Sequence, residues 1–322
     1  MLQNLQPGEE LTDFFILRRK ELRCSRDSNE QYWALELGSA QGRIFGSLWG
    51  DRKAFAAAVS EGDIVKVRAK VIEWKGRPYL DIEQLRKAKD EEGVAYAQLI
   101  PRREGVQDLS ATLRRRIETM ENPHLRLLLQ RVLDDARIQG RIEQAPAGKL
   151  WHHCRLGGLL EHTLQVLRAV EALAPLYAHV DRELLIAGAV LHDIGKIFEF
   201  EWDRFIDYSD EGRLLGHAAI GYHLVADHIR EIDGFPEELR KKLLHMILAH
   251  HGEREKGAVV PPMTREAILL HYIDEMDAKM SAFARIFEQE GGRSRWSRYV
   301  NLLDCFFYFG EPEENQQAEA VS

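Results

Sequence analysis

The segment LLIAGAVLHDIGKIFEF, residues 184–200, places a histidine and an aspartate side by side after a long apolar run. The run is apolar on every face of a helix, which is typical of a helix buried in a protein core. A carboxylate without a partner in such surroundings costs on the order of several kcal/mol. Asp193 therefore needs a cationic partner, and the sequence leaves two alternatives, a salt bridge or a metal ion.

Histidines and carboxylates recur at ligand-like positions on both sides of this segment. They lie in LLEHT (His162), LHDIGK (His192, Asp193), LLGHA (His217), LAHHGE (His250, His251) and LHYIDEMDAK (His271, Asp274, Asp277). Imidazole and carboxylate without thiolate favour a divalent ion such as Mn, Fe, Co, Zn or Mg over a structural zinc finger. Gly195 is expected to let the chain turn away from such a site.

The region around these motifs is predicted to be entirely helical. In LLEHTLQVLRAVEAL, residues 159–173, apolar residues recur at intervals of three and four and share one face of a helix. Pro175 is expected to end this helix, and Asp181 and Thr264 are expected to cap the N-termini of two later ones. The second part of the chain is therefore an all-α domain.

The first part of the chain has a different period. YWALEL, GRIFGSLW, DIVKVRAKVIEW and RPYLDIEQL alternate apolar and polar residues and are separated by glycine and polar turns. A short helical piece, DRKAFAAAV, follows the third strand. The strand-like pattern begins earlier, at Thr12, so these segments make about five strands. Five strands with a helix between the third and fourth predict a small β-barrel of the OB type.

The predicted organisation is thus multidomain. It comprises an OB-fold barrel at 1–90, a polar linker at 91–106, a helical domain at 107–310 and a disordered tail at 311–322. The net charge of −8 argues against a wholly basic nucleic-acid binder, although the barrel region alone is weakly positive. Three separated cysteines and the lack of an apolar run of about 18 residues predict a cytoplasmic protein without a membrane segment.

The histidine motifs carry a resemblance to a known family. His162, His192 with Asp193, and Asp274 match the H…HD…D pattern of the HD superfamily of metal-dependent phosphohydrolases. With GGLLEHTLQV, DEGRLLGH, ILAHHGE and TREAILLHYIDEMDAKM behind an OB-like module, nearly the whole chain resembles the YhaM-type bacterial 3′→5′ exoribonucleases. The resemblance implies a divalent metal, usually manganese, and hydrolysis of single-stranded RNA from its 3′ end to nucleoside 5′-monophosphates.

The resemblance also implies roles for individual residues. The first ion is expected to be held by His162, His192, Asp193 and Asp274, with Asp193 bridging to a second ion held by His217, His250 and His251. Lys196 is expected to contact a phosphate oxygen during catalysis, although it could equally complement a helix dipole. The sequence leaves one or two ions open. It also leaves open the roles of His152, His153, His271 and Asp277.

The barrel contains candidate RNA contacts. Alternation predicts that Phe45 lies beside a basic stripe that includes Lys66 and Arg68. Single-stranded RNA stacks its bases on aromatic rings while cations meet its phosphates. A charged face that is only solvated is the alternative. Two other functions also stay open, a phosphohydrolase acting on nucleotides or cyclic dinucleotides and a weakly active RNA-binding adaptor. A homo-oligomer is compatible with each.

Overall fold

The computed structural model describes residues 2, 5–25, 28–149, 151–290, 294–301 and 303–311. The predicted disordered tail lies outside the described residues, except for Glu311. Contacts divide the chain into two compact units. The first contains residues 1–104 together with 200–209, and the second contains residues 105–199 and 210–322.

The first unit is built on a closed five-stranded barrel. Its strands are β1 (Glu10–Cys24), β2 (Gln31–Ser39), β3 (Gly42–Leu48), β4 (Ile64–Trp74) and β5 (Arg77–Lys87), in the order β1-β2-β3-β5-β4. β3 and β5 are parallel, whereas the other neighbours are antiparallel. A 3-10 helix, Gly50–Ala58, stands where the sequence predicted a short helix. The predicted OB-type barrel is confirmed.

Strict alternation along the strands fills the barrel interior. On β4 the inward residues are Val65, Val67, Ala69 and Val71, each no more than 1% exposed. The residues between them point outward, because successive side chains of a strand face opposite sides. The outward set of β4 is therefore Lys66, Arg68, Lys70 and Ile72.

A short hairpin belongs to the first unit although it comes from the middle of the chain. Its strands are β6 (Phe200–Glu201) and β7 (Asp207–Tyr208). Arg18, which occupies a register shift in β1, donates to the carbonyl of Ile206 at 3.3 Å, and its guanidinium lies 4.7 Å from the centre of the Phe205 ring. The bulged residue therefore ties the hairpin to the barrel.

The region predicted to be a linker contains regular structure. A short helix, α1 (Tyr96–Leu99), lies within residues 91–106, and its Leu99 is buried. The hydroxyl of Tyr96 donates to the carbonyl of Gly62 at 2.7 Å. This hydrogen bond fastens the start of the region to the barrel.

The second unit is helical. Its helices are α2 (Val106–Glu118), α3 (Pro123–Asp134), α4 (Gly158–Leu173), α5 (Arg182–Leu191), α6 (Lys196–Glu199), α7 (Asp210–Arg230), α8 (Glu237–Ala249) and α9 (Arg265–Glu290). α5 lies at the centre, where every residue from Leu184 to Leu191 is buried. The predicted helical fold is therefore confirmed, and its central helix is the apolar run that precedes His192. The prediction of helix throughout 107–310 was wrong at residues 200–209, which form the hairpin of the first unit.

The helix boundaries follow their predicted signals. Asp181 accepts hydrogen bonds from the backbone N–H groups of Glu183 and Leu184, and Thr264 accepts one from Ala267. α4 ends two residues before Pro175. Among the described residues, no helix combines the length and apolarity needed to cross a bilayer.

Candidate metal centre and barrel surface

Asp193 stands at the centre of the predicted ligand set, in the turn that follows α5. Its Oδ2 atom lies 3.4 Å from Nε2 of His162 and 3.5 Å from Nε2 of His192. Its Oδ1 atom lies 3.4 Å from Nε2 of His217 and 3.5 Å from Nε2 of His250. Each carboxylate oxygen therefore faces one pair of imidazoles.

Asp274 completes the group on the Oδ2 side. It comes from α9, and its Oδ1 atom lies 3.1 Å from Nε2 of His162 and 3.6 Å from Nε2 of His192. The two imidazole Nε2 atoms are 3.2 Å apart. Two histidines and two carboxylates thus converge from α4, α9 and the turn after α5.

His251 completes the group on the Oδ1 side. Its Nε2 atom is 3.1 Å from Nε2 of His217, which in turn is 3.3 Å from Nε2 of His250. His250 and His251 follow directly after α8, whereas His217 lies in α7 just after Gly216, whose φ of 73° breaks the helix. The structure therefore brings all seven predicted metal ligands together.

Each imidazole is oriented by an acceptor outside the cluster. The Nδ1 acceptors are Asp277 for His162 (2.6 Å), Ala189 O for His192 (3.0 Å), Glu199 for His217 (2.9 Å), Ile247 O for His250 (2.7 Å) and Lys256 O for His251 (2.9 Å). A ring that donates its Nδ1–H outward directs Nε2 inward as a potential ligand.

These atoms fit divalent cations. Nε2 atoms of neutral rings that face one another at 3.1–3.3 Å cannot satisfy one another by hydrogen bonding, because each ring has already donated its Nδ1–H elsewhere. Asp193 Oδ1 is buried and has no hydrogen-bond donor among the described residues. A cation between these atoms would interact with the facing Nε2 atoms and with Asp193 Oδ1. Ligand atoms lie within 4.8 Å of one another in two sets of this cluster, His162, His192 and Asp193, and His217, His250 and His251.

The protonation of the histidines differs across the cluster. Burial lowers the pKa of His250, and burial together with the charge of His250 lowers the pKa of His251 to about 4. Burial also opposes the charge on His162, but hydrogen bonds with Asp193 and Asp274 raise the pKa of His162 well above its usual value. An ion that binds at His162 therefore displaces a proton.

Lys196, the predicted phosphate contact, lies against Asp193. Its ammonium donates to Asp193 Oδ2 at 2.6 Å, and only 7% of the residue is exposed. Burial lowers the pKa of Lys196, but the charges of Asp193 and Asp274 and the hydrogen bond to Asp193 together outweigh this effect, and the pKa is raised. Lys196 thus keeps its positive charge at the metal centre and has two further N–H donors.

Three residues near the centre were not assigned from the sequence. Glu199 accepts from both Nδ1 and the backbone N–H of His217, at 2.9 and 3.0 Å. His271 hydrogen-bonds the carbonyl of His250 at 2.8 Å through Nδ1. His152 lies beside His162, and burial lowers its pKa to about 3 while leaving Nδ1 without a partner among the described residues.

The chain turns at residues 192–195, as predicted, but a left-handed backbone conformation is not the reason for the glycine at position 195. Gly195 is not among the glycines with positive φ. Instead, a Cβ atom on Gly195 would lie 2.1 Å from the carbonyl oxygen of His217 and 2.7 Å from the backbone nitrogen of Gly221. The glycine is needed because the backbone of α7 approaches too closely for any side chain.

The barrel carries apolar side chains on the outside of three adjacent strands. Phe45 on β3 pairs with Tyr79 on β5, which pairs with Ile72 on β4. The ring of Trp74 lies 5.4 Å from that of Tyr79. About half of the surface of Phe45 and of Trp74 is exposed. We call Phe45, Ile72, Trp74 and Tyr79 the aromatic surface.

Lys66 and Arg68 lie away from the aromatic surface. Lys66 is six residues from Ile72 along β4, which corresponds to about 20 Å. Its ammonium pairs with Glu92 at 3.1 Å, and Arg68 pairs with Glu83 at 3.1 Å. The structure therefore does not bring these two cations together with Phe45.

The helical unit matches a known domain. The family model described as "HD domain" matches residues 159–279, a range that includes all seven ligand candidates. The chain is thus an HD-domain protein, a class whose members depend on bound metal.

Relatives of the whole chain place it more narrowly. Proteins named 3′-5′ exoribonuclease YhaM from Bacillus velezensis and from Bacillus subtilis are each 31% identical to this chain over 306 residues, which cover 94% of this chain and 95% of each relative. The chain belongs to the YhaM family of exoribonucleases.

Two solved structures of replication protein A match smaller parts of the chain. One is a heterotrimer bound to ssDNA, with 17% identity over 29% of this chain and 67% of the other. The second is the second OB-fold domain of the Methanococcus maripaludis protein, with 22% identity over 28% and 93%. Both have a TM-score of 0.23, so they add nothing to the barrel topology described above.

Proposed function

We propose that the chain is a divalent-metal-dependent 3′→5′ exoribonuclease that hydrolyses single-stranded RNA to nucleoside 5′-monophosphates. The observation that carries this proposal is the position of Asp193. Its two oxygens face two separate groups of imidazole Nε2 atoms, all directed inward by acceptors outside the cluster. The activity, substrate and direction come from the family relationship.

We assign the first ion to His162, His192, Asp193 and Asp274, and a second to Asp193, His217, His250 and His251. Divalent ions at such a site activate water and neutralise charge on the scissile phosphate. Mn²⁺ is the ion that we propose: imidazole and carboxylate without thiolate suit Mn, Fe, Co, Zn or Mg, and the family resemblance favours manganese among them.

The protein side chains supply orientation and charge. Asp277 and Glu199 hold His162 and His217 with Nε2 directed inward. Lys196 donates one hydrogen to Asp193 and keeps two others for a nonbridging phosphate oxygen. Proton release from His162 on ion binding predicts that metal affinity rises with pH.

The aromatic surface is the proposed RNA contact of the barrel. Exposed rings offer stacking faces to bases regardless of sequence, and the ammonium of Lys75 lies 4.6 Å from the centre of the Trp74 ring. Phe45 retains its predicted role. Lys66 and Arg68 are expected to contribute less, because their charges are already paired with Glu92 and Glu83.

The decisive experiment uses single-stranded RNA labelled at its 5′ end, with Mn²⁺ added to metal-free protein. We expect progressive shortening from the 3′ end and release of nucleoside 5′-monophosphates. Asp193→Ala should abolish cleavage while RNA binding persists. Asp227→Ala, which removes an aspartate paired with Arg230 on α7, is the matched control and should cleave normally.

Two results would replace the proposal with its alternatives. If nucleotides or cyclic dinucleotides are hydrolysed and RNA is left intact, the site belongs to a small-molecule phosphohydrolase. If RNA is bound but nothing is cut with any of Mn²⁺, Fe²⁺, Co²⁺, Mg²⁺ or Zn²⁺, the chain acts as an adaptor.

A further inference from the structure

His153 lies in a turn whose backbone is held in an unfavourable conformation. Its φ is +43°, in the left-handed region that few residues other than glycine adopt. Its carbonyl oxygen accepts from the N–H of Arg155 at 2.8 Å. A Cβ atom on Gly158 would lie 1.9 Å from the same oxygen, so α4 begins against this turn only because residue 158 is glycine. Backbone strain of this kind persists where the surrounding structure imposes it.

The imidazole of His153 bridges two carboxylates. Its Nε2 atom lies 3.0 Å from Asp277 Oδ2, and its Nδ1 atom lies 3.2 Å from Glu161 Oε2. Glu161 also accepts from the guanidinium of Arg155 at 2.7 Å. His153 is 6% exposed, so these contacts are shielded from water.

The same oxygen of Asp277 orients a proposed metal ligand. Asp277 Oδ2 accepts from Nδ1 of His162 at 2.6 Å as well as from His153. With two donors on one oxygen, the carboxylate cannot rotate away from His162 without losing the contact to His153. We propose that His153 is a positioning residue of the metal centre, which acts on His162 through Asp277. The proposal rests on the proposed function of this site as a metal centre.

A third ion is the competing interpretation of these contacts. His153, His162 and Asp277 also place ligand atoms within 4.8 Å of one another. His162 already directs Nε2 at Asp193 and Asp274, so an ion at Nδ1 as well would require the ring to lose both of its protons. Hydrogen bonding needs no such loss, which favours the positioning role.

The test is a double-mutant cycle read out by Mn²⁺ binding, measured by calorimetry or by electron paramagnetic resonance without RNA. His153→Asn is the main variant, because asparagine tolerates the left-handed conformation but its side chain is too short to reach Asp277. We expect H153N to weaken Mn²⁺ binding about tenfold and Asp277→Ala to weaken it about ten- to a hundredfold. The double variant should bind no more weakly than D277A alone.

Two further variants complete the design. His153→Gln has the reach to donate one N–H to Asp277 and should recover part of the affinity that H153N loses. If H153N does not fold, His153→Gly takes its place in the cycle, because glycine adopts the left-handed conformation freely and has no side chain to reach Asp277. His228→Asn is the matched control, since His228 is also buried and pairs with a carboxylate, Asp135, at 3.0 Å, but outside the cluster. It should leave Mn²⁺ affinity unchanged.

Three outcomes would overturn the proposal. The first is an H153N protein that binds Mn²⁺ as wild type does. The second is an effect of H153N that persists in full in the D277A background. The third is a stoichiometry of three ions that falls to two in H153N, which would make His153 a ligand. Because the readout is metal binding, failure to degrade RNA would contradict the proposed function and leave this test intact.

Discussion

Replacing Gly195 with alanine tests whether the close approach of two backbone segments maintains the second ligand group. The added Cβ atom would lie 2.1 Å from the carbonyl oxygen of His217, whereas real Cβ atoms essentially never come closer than 3.0 Å. His217 or the turn that carries Asp193 must therefore move by at least about 0.9 Å. Metal–nitrogen distances tolerate a deviation of only about 0.2 Å.

The displacement gives the expected magnitudes. Overpacking of this kind should lower the free energy of unfolding by about 1–3 kcal/mol, which is less than the roughly 5–15 kcal/mol typical of native proteins, so we expect a folded variant. A misplacement of about 1 Å at a catalytic site costs about a hundredfold in rate. We therefore expect Gly195→Ala to lose the Mn²⁺ ion assigned to Asp193, His217, His250 and His251 in a calorimetric titration, and to slow RNA shortening about a hundredfold.

Gly221→Ala is the control on the opposite side of the same contact. Its Cβ atom would meet its nearest neighbour, the backbone nitrogen of Gly195, at 3.3 Å, a distance that small adjustments can accommodate. We expect its Mn²⁺ stoichiometry to match that of wild type. A G195A protein that binds both ions and degrades RNA at the wild-type rate would refute the reasoning.

Three other perturbations have defined outcomes. Removing metal with a chelator should lower the melting temperature, because Mn²⁺ at about 100 times its Kd stabilises the folded state by about 2.7 kcal/mol. Identical melting curves with and without Mn²⁺ would contradict the proposed metal binding. Phe45→Ala should weaken binding of single-stranded RNA by about 1–3 kcal/mol in a titration, whereas Phe55→Ala, at an exposed ring on the 3-10 helix of the barrel, should not. Burial raises the pKa of Asp277, but hydrogen bonds from His153 and His162 outweigh this effect and lower the pKa to about 2. The carboxylate therefore stabilises the folded state at pH values above its unfolded pKa, and this stabilisation is lost as the pH falls through about 2. In urea unfolding of metal-free protein, the advantage of wild type over Asp277→Asn should therefore shrink by roughly 2 kcal/mol between about pH 5 and pH 2, and a constant difference would contradict the assignment.

The clustering of the candidate ligands could be anticipated because each of their motifs places a histidine or an aspartate beside an apolar helix, and the family resemblance supplied their proposed roles. His192 and Asp193 end a run that is buried on every face, and a charged pair in that position needs a partner. Asp181 and Thr264 were predictable as caps because capping depends on only a few neighbouring residues. Capping and helix burial depend on residues close together in the sequence, so they can be predicted without knowledge of the tertiary structure.

Glu199 and His153 escaped prediction because their roles depend on distant contacts. Glu199 meets His217 across 18 positions of the chain, and His153 meets Asp277 across 124. Some signal was present for Glu199, since this carboxylate lies among apolar residues in IFEF, residues 197–200. Lys66 and Arg68 were predicted as RNA contacts, but their charges are paired with Glu92 and Glu83. These ion pairs could not be predicted because they depend on how the strands and the segment after β5 pack.

The hairpin of β6 and β7 has a consequence for how the protein can be divided. The chain leaves the ligand region at Glu199, contributes residues 200–209 to the barrel unit and returns to the helical unit before His217. A fragment that starts at residue 105 would keep the hairpin but lack Arg18, and would expose Phe205 and the buried Ile206. The two parts of the chain therefore cannot be exchanged independently. A chimera that replaces the barrel must also replace the segment between Glu199 and Asp210 with the one that belongs to the new barrel.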